Sequence, residues 1–244
     1  MNYVRKIKEK KELSGISDSV VQDSLKKVLE KIKPKSKKDE KIVIKEVRAE
    51  LRKLVGRFKS SSKLLKLAEK GEFDKIVQNH KSTNERVSFY PDLKKEIFQN
   101  NPKSILDIGC GLNPIVLAKT GAKYYAQDVD ENNLKILKIF FEKNKIDYKL
   151  ILSDIRTLPQ LPEADICLIL KVFDIVKMPH KDVKTFLSSI KCKKLIASFP
   201  IITLSGRPMD KPRRFWFEKI LKDINITYEM LHSQNEIFYC SKND

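Results

Sequence analysis

The stretch Ile105-Leu106-Asp107-Ile108-Gly109-Cys110-Gly111-Leu112-Asn113-Pro114 decides the fold. Ser104–Ile108 is an apolar run of strand length, and residues 114–119 read as the start of a helix. Between them, glycines at 109 and 111 permit a tight turn and let backbone approach a ligand closely. A dinucleotide fingerprint would need a further glycine, and the lysine of a P-loop is missing, so neither nucleotide motif is present. Asp107, just before the turn, is a carboxylate able to hold a cationic or amine-bearing ligand.

Outward from this point, short apolar runs alternate with amphipathic stretches. Strands are expected at 104–108, 124–127, 148–152, 166–170 and 195–199, and a terminal pair at 227–231 and 236–240. Helices are expected near 114–119, 131–143, 181–189 and 212–223. Alternation of strand and helix implies a parallel sheet covered on both faces, and the short polar turn before Glu236 implies an antiparallel edge hairpin. The expected class is α/β, a Rossmann-like seven-stranded sheet with an N-terminal helical extension, which matches the class I methyltransferase architecture better than a nucleotide-hydrolase sheet.

Two more carboxylates end strands. Asp128 closes the second, where it can accept both hydroxyls of a ribose, and Asp154 closes the third, where it can receive an exocyclic adenine amine, with Ile155 beside it. Either alone reads as a helix cap. Three acidic strand ends around a glycine turn point to S-adenosylmethionine as cofactor.

Charge points to a polyanion. The chain has 244 residues with 50 Lys+Arg against 32 Asp+Glu, a net +18. Residues 1–80 carry 23 basic and 12 acidic side chains, more than half of the excess. RNA or DNA fits better than a membrane, because the longest apolar runs are far too short to span one. No apolar stretch follows the basic start, which argues against a signal peptide. Four scattered cysteines without a CxxC pair predict neither a zinc knuckle nor a disulfide framework, and a cytoplasmic setting.

Residues 1–58 read as a basic helical module. Val21, Leu25, Val28 and Ile32 line one helix that Ser17 would cap and Pro34 would end; Val43, Val47, Leu51, Leu54 and Phe58 line a second. Arg48, Arg52 and Lys53 lie on the opposite face as candidate RNA contacts. Residues 59–100 read as a helical linker contributing to the cofactor site, and 101–244 as the catalytic domain. On this division, removing residues 1–58 should spare cofactor binding and abolish RNA modification.

The sequence resembles the aminoglycoside-resistance 16S rRNA (guanine-N7) methyltransferases, the Arm/Rmt group. Four segments carry the resemblance: His80-Lys81-Ser82-Thr83-Asn84-Glu85-Arg86; the run 106–114; Leu170-Lys171; and Ser198-Phe199-Pro200 continuing to Leu204-Ser205-Gly206-Arg207 with Trp216-Phe217-Glu218. The resemblance implies methylation of guanine 1405 N7 in the assembled small ribosomal subunit. It assigns the methionine carboxylate of the cofactor to Arg86, behind a helix cap at 82–85, and the target face to Lys171 and Ser198. Phe199 and Trp216 read either as rings that stack on a base or, at least equally, as core packing. The basic run Arg207, Lys211, Arg213 and Arg214 becomes a phosphate contact. Asn84 and Ile202 depart from the pattern, where the group carries basic residues. A monomer is expected, with no metal. Another rRNA or tRNA position, or a non-catalytic ribosome-assembly role, stand as the alternatives.

Overall fold

The computed structural model describes residues 2–55, 62–203 and 206–242. Strands β1 (Ser104–Ile108), β2 (Lys123–Asp128), β3 (Tyr148–Leu152), β4 (Ala164–Leu170), β5 (Cys192–Pro200), β6 (Tyr228–His232) and β7 (Glu236–Ser241) form one sheet in the order β3-β2-β1-β4-β5-β7-β6. The first five are parallel, and β7 runs antiparallel to both β5 and β6.

Helices α1 (Tyr3–Lys8), α2 (Asp18–Lys31) and α3 (Lys37–Val55) precede α4 (Ser62–Lys70), α5 (Phe73–Asn79), α6 (Lys81–Asn84) and α7 (Tyr90–Phe98). Within the sheet region lie α8 (Pro114–Leu117), α9 (Glu131–Lys143), α10 (Val172–Val176), α11 (His180–Ser189) and α12 (Phe215–Asp223). Successive residues of β1 face opposite ways. Ile105 belongs to a core shared with Leu64 and Ala68 of α4 and with α7 and α9, while Leu106 and Ile108 belong to one shared with α10, α11 and α12. Both faces of the central strands β1, β4 and β5 are therefore largely dry, which is why their sequences read as near-continuous apolar runs, whereas β3 at the sheet edge leaves Lys149 and Leu152 exposed.

Strand limits differ from the sequence expectation where a charged residue is internally paired. Strand β5 continues back through Lys194, because its buried ammonium meets Glu96 on α7. Helix α12 starts at Phe215, since Pro212, Arg213 and Arg214 stay in the preceding loop. Helices α1 and α7 carry no clear sequence signal: at six and nine residues they are too short for a convincing apolar period.

The N-terminal helices have a core of their own, with Ile7, Leu13, Val21, Val28, Val43, Val47 and Leu51 buried together. Ser36 starts α3 reciprocally: its Oγ accepts from the Asp39 N–H at 3.2 Å and donates to the Asp39 carboxylate at 2.9 Å. Ser17 precedes α2 without a capping bond to it; its hydroxyl meets Ser19 instead. Phe58 and the proposed boundary at 58/59 lie outside the described residues. Among the described residues, no helix is long and apolar enough to cross a membrane.

Candidate active site

Strand order reverses between β1 and β4, and the crevice this leaves at the carboxyl ends of the strands is where open α/β sheets bind ligands. A cavity lies there, walled by residues 109–111, 128–130, 154–156 and 170–172, with Val20, His80 and Ser82 also at its edge.

The glycine turn forms one wall. Gly109 and Gly111 have φ of +60° and +53°. A Cβ on Gly109 would sit 2.7 Å from Val172 Cγ2, so both torsion and space require glycine there. The turn hangs from β2: Gly109 N–H donates to Gln127 Oε1 at 2.9 Å, and Gly111 N–H to Asp128 Oδ2 at 2.8 Å. Asp128 Oδ1 accepts from the Asp130 N–H at 2.8 Å. Burial pushes the Asp128 carboxyl up from its ordinary range, against the backbone N–H groups that draw it down.

Asp107 lies behind this wall, wholly buried. Its Oδ2 accepts from the Tyr124 hydroxyl at 2.9 Å, while Oδ1 has no hydrogen-bond partner among the described residues. Burial pushes its pKa up to about 7. Asp154 lines the cavity and caps the turn Ile155–Thr157, accepting from the Arg156 N–H at 2.9 Å. The Arg156 guanidinium grips the same carboxylate, with Nη2 2.6 Å from Oδ2. Ile155 supplies an apolar wall patch beside it.

At the end of β4, Lys171 adopts φ +61° and borders the cavity. Its ammonium lies 3.1 Å from Glu85 Oε2 and 3.0 Å from Glu236 Oε1. Arg86, 1% exposed, stands with Nε 2.7 Å from the same Glu236 oxygen. Its Nη1 donates to Asn113 Oδ1 at 2.9 Å, and Nη2 has no hydrogen-bond partner among the described residues. Burial pushes the Glu236 carboxyl up, but the Arg86 guanidinium and Lys171 ammonium hold it below the usual carboxylate range. Ser198 donates its hydroxyl proton to Glu236 Oε2 at 2.7 Å.

The structure thus gathers Gly109, Gly111, Asp128, Asp154, Ile155 and Lys171 around one cavity, with Asp107 and Arg86 behind it. It corrects several expectations. Ser82 is no helix cap; Ser82, Thr83 and Asn84 lie inside α6, which His80 precedes with Nδ1 2.7 Å from Thr83 Oγ1, and Glu85 turns to Lys171 instead. Ser198 is buried and occupied with Glu236, so it faces no target surface. Of the two readings for the aromatic rings, packing holds: Phe199 is a core ring against Phe217 and Tyr239, and Trp216 stacks on His180 at 4.3 Å.

Several expected RNA-contact arginines are engaged internally. Arg48 donates to the carbonyls of Lys6 and Ile7, near the end of α1, and Arg52 pairs with Glu12 at 2.7 Å. The Lys53 side chain and Leu204-Ser205 lie outside the described residues. Arg213 forks onto Glu218, and Arg214 ties Asp174 on α10 to the Pro200 carbonyl at 2.8 and 2.9 Å. Arg207 and Lys211 are exposed.

Glu236, Gln127, Asn113, Glu85 and Arg156 escape a reading of the sequence. For Glu236, Gln127 and Asn113 the one sequence signal is a polar residue where a strand or glycine turn calls for an apolar or small one; Glu85, just after α6, and Arg156, in the turn Ile155–Thr157, carry none, and in no case is a partner named.

A family model described as ribosomal RNA methyltransferase (FmrO) matches residues 16–220. A 16S rRNA (guanine(1405)-N(7))-methyltransferase from Serratia marcescens is 29% identical over 144 residues. That match covers 57% of this chain and 57% of the relative, so the chain spans a little over half the length of that curated protein. The structure of the 16S rRNA methylase RmtB superposes with a TM-score of 0.83 at 22% identity, covering 100% of this chain and 98% of the other. The 16S rRNA methyltransferase RmtF in complex with S-adenosyl-L-homocysteine has a TM-score of 0.83 at 21% identity, covering 99% and 97%. At these identities the likeness is one of fold.

Proposed function

Because the chain belongs to the ribosomal RNA methyltransferase (FmrO) family, we propose that it methylates N7 of a guanosine in 16S rRNA on the assembled small ribosomal subunit, with S-adenosylmethionine as donor. The target is the guanosine equivalent to position 1405 of the curated relative's name. The observation that carries this reading is a cavity lined by Asp128 and Asp154 and closed by two left-handed glycines, with Asp107 buried behind the glycine turn.

The residues fit that cofactor. Asp107 Oδ1 and Arg86 Nη2 are buried without hydrogen-bond partners among the described residues, one on a carboxyl and one on a guanidinium, behind the cavity. A zwitterionic amino-acid end satisfies both kinds of group. Asp128 would hold the ribose hydroxyls, Asp154 and Ile155 the adenine, and Gly109 and Gly111 would let the backbone close on the chain between. When bound, S-adenosylmethionine supplies an electrophilic methyl group on sulfur.

Guanine N7 has a lone pair and no proton, so the protein needs no general base; its task is alignment. Lys171 has three N–H donors, two of which are committed to Glu85 and Glu236, leaving one for the guanine O6. Ser198 acts by holding Glu236. A guanosine inside folded RNA must leave its stack to reach this cavity. The exposed Arg207 and Lys211 are assigned to phosphate contacts. Methylation at that position would exclude gentamicin- and kanamycin-type drugs, and the enzyme would act as a monomer in the cytoplasm.

The test is label transfer from radiolabelled S-adenosylmethionine to purified small subunits, with naked 16S rRNA and tRNA in parallel. Label confined to assembled subunits supports the reading; label in tRNA alone would move the substrate, and no transfer to any RNA would overturn it.

A further inference from the structure

We infer that the N-terminal helical module is a wall of the cofactor pocket as well as a docking arm, and that Arg156 is the positioning residue that couples the two. This rests on the cofactor reading above and goes beyond it.

The module and the pocket share backbone. Ile16 forms an antiparallel bridge with Asp130. Ser17 N–H donates to the Val129 carbonyl at 3.0 Å, and Glu131 N–H to the Gly15 carbonyl at 2.8 Å. These bonds seize the loop after β2, the same loop whose Asp128 holds the glycine turn. Val129 packs against the N-terminal core, and Val20 on α2 lines the cavity itself. A side chain at Gly15 would have to displace its neighbours: its Cβ would come 1.9 Å from Asn132 Nδ2 and 2.6 Å from Asp130 Oδ1. The approach is therefore close enough to transmit a displacement of either partner.

Arg156 makes a second link. Its guanidinium grips Asp154 on the pocket side and lies 3.2 Å from Asp23 on α2. Asp23 helps to keep that guanidinium planted, and the guanidinium sets the orientation of the carboxylate expected to meet the adenine. Asp23 is shared with Lys27 at 2.7 Å, so the clasp ends in a surface ion pair.

The same module presents Lys6, Lys10, Lys41 and Lys45 along a groove between α1 and α3. A polyanion held there loads α2 and the Gly15 segment, and through them Asp128 and Asp154. Coupling of this kind is reciprocal: cofactor must order the module as much as the docked module orders the cofactor site. This reverses the expectation that the module can be removed with cofactor binding intact.

The experiment uses the full chain and S-adenosylhomocysteine as probe. Calorimetric affinity is measured for the native sequence, Asp23→Lys and Gly15→Ala, with thermal melting as the check on folding. Each variant is expected to bind roughly tenfold more weakly, within the range typical of coupled sites. Hydrogen exchange on the unsubstituted protein supplies a readout free of mutation: added probe should slow exchange of the Ser17 and Glu131 amides. Native-like affinity in both folded variants, with no added protection at those amides, would overturn the coupling and leave the cofactor reading standing. Absence of binding by the unsubstituted protein would instead overturn the cofactor reading.

Discussion

Glu236→Gln removes one charge and almost no volume from the point where Arg86, Lys171 and Ser198 meet. The two cations lie 2.7 and 3.0 Å from the same carboxylate oxygen. At an effective dielectric of about 20, a pair at such a distance is worth about 6 kcal/mol before desolvation is counted. Lys171 keeps Glu85 in the variant, whereas Arg86, 1% exposed, is left as an uncompensated buried cation. Breaking a buried pair from one side costs about 3–5 kcal/mol. For a chain of this size that is a fall in Tm of about 6–20 °C. The Ser198 hydroxyl still finds an acceptor in the glutamine carbonyl, so the loss reports charge. Adding Arg86→Met removes the orphaned cation and should recover part of the stability, while methylation is lost with the guanidinium assigned to the cofactor carboxylate. The assay is scanning calorimetry of the two single variants and the double variant, with S-adenosylhomocysteine titrations alongside. A Glu236→Gln protein melting within about 2 °C of the native one, or a double variant showing simple additivity, would refute the reasoning.

Other consequences follow from the same geometry. Asp107, with its pKa pushed up to about 7, is largely protonated below that pH and would ionise when a cationic amino group arrives. Binding of S-adenosylhomocysteine should then release a proton and strengthen about tenfold from roughly pH 5.5 to 7; calorimetry in buffers of different ionisation enthalpy reads this, and Asp107→Asn should abolish it. In the free protein the sign is opposite to that of a paired carboxylate: the raised pKa makes the Asp107 contribution to stability decline as pH rises from about 4 to 7. Gly109→Ala places a methyl against Val172 at φ +60°, so it should cost about 1–3 kcal/mol and cofactor affinity; Val172→Ala should relieve the clash but not the torsion, so recovery measured by thermal melting should be partial. Arg214→Ala frees the loop that leads into α12 from Asp174 and Pro200, and methylation of subunits should fall at least about tenfold while S-adenosylhomocysteine affinity stays within about twofold.

Sequence patterning reaches the fold because local signals suffice. The limits of β1 and β3 follow from apolar runs with polar flanks, and the glycine turn follows from two glycines separated by a single residue. The pocket carboxylates are legible for the same reason, since each lies within two residues of the end of its own strand. What stays hidden depends on contacts between distant segments. Arg86 and Glu236 are 150 positions apart, and nothing near either one announces the other. Likewise the basic face of α3 reads as solvated, yet Arg48 closes the end of α1. Ser198 illustrates the limit most sharply: its place at a strand end is legible, but its partner on β7 decides its role. Arg156 falls in this class too, because its link to Asp23 exists only once α2 lies against the sheet.

The central claim is that this cavity delivers a methyl group to one guanine N7 of the small-subunit RNA. The most direct test is to incubate assembled small subunits with the protein and S-adenosylmethionine, then cleave the extracted 16S rRNA with borohydride and aniline, which breaks the chain at 7-methylguanosine. One new cleavage site in the decoding region, lost with Lys171→Met, is the expected result. Methylated RNA that resists cleavage, or cleavage at a guanosine outside that region, would contradict the account.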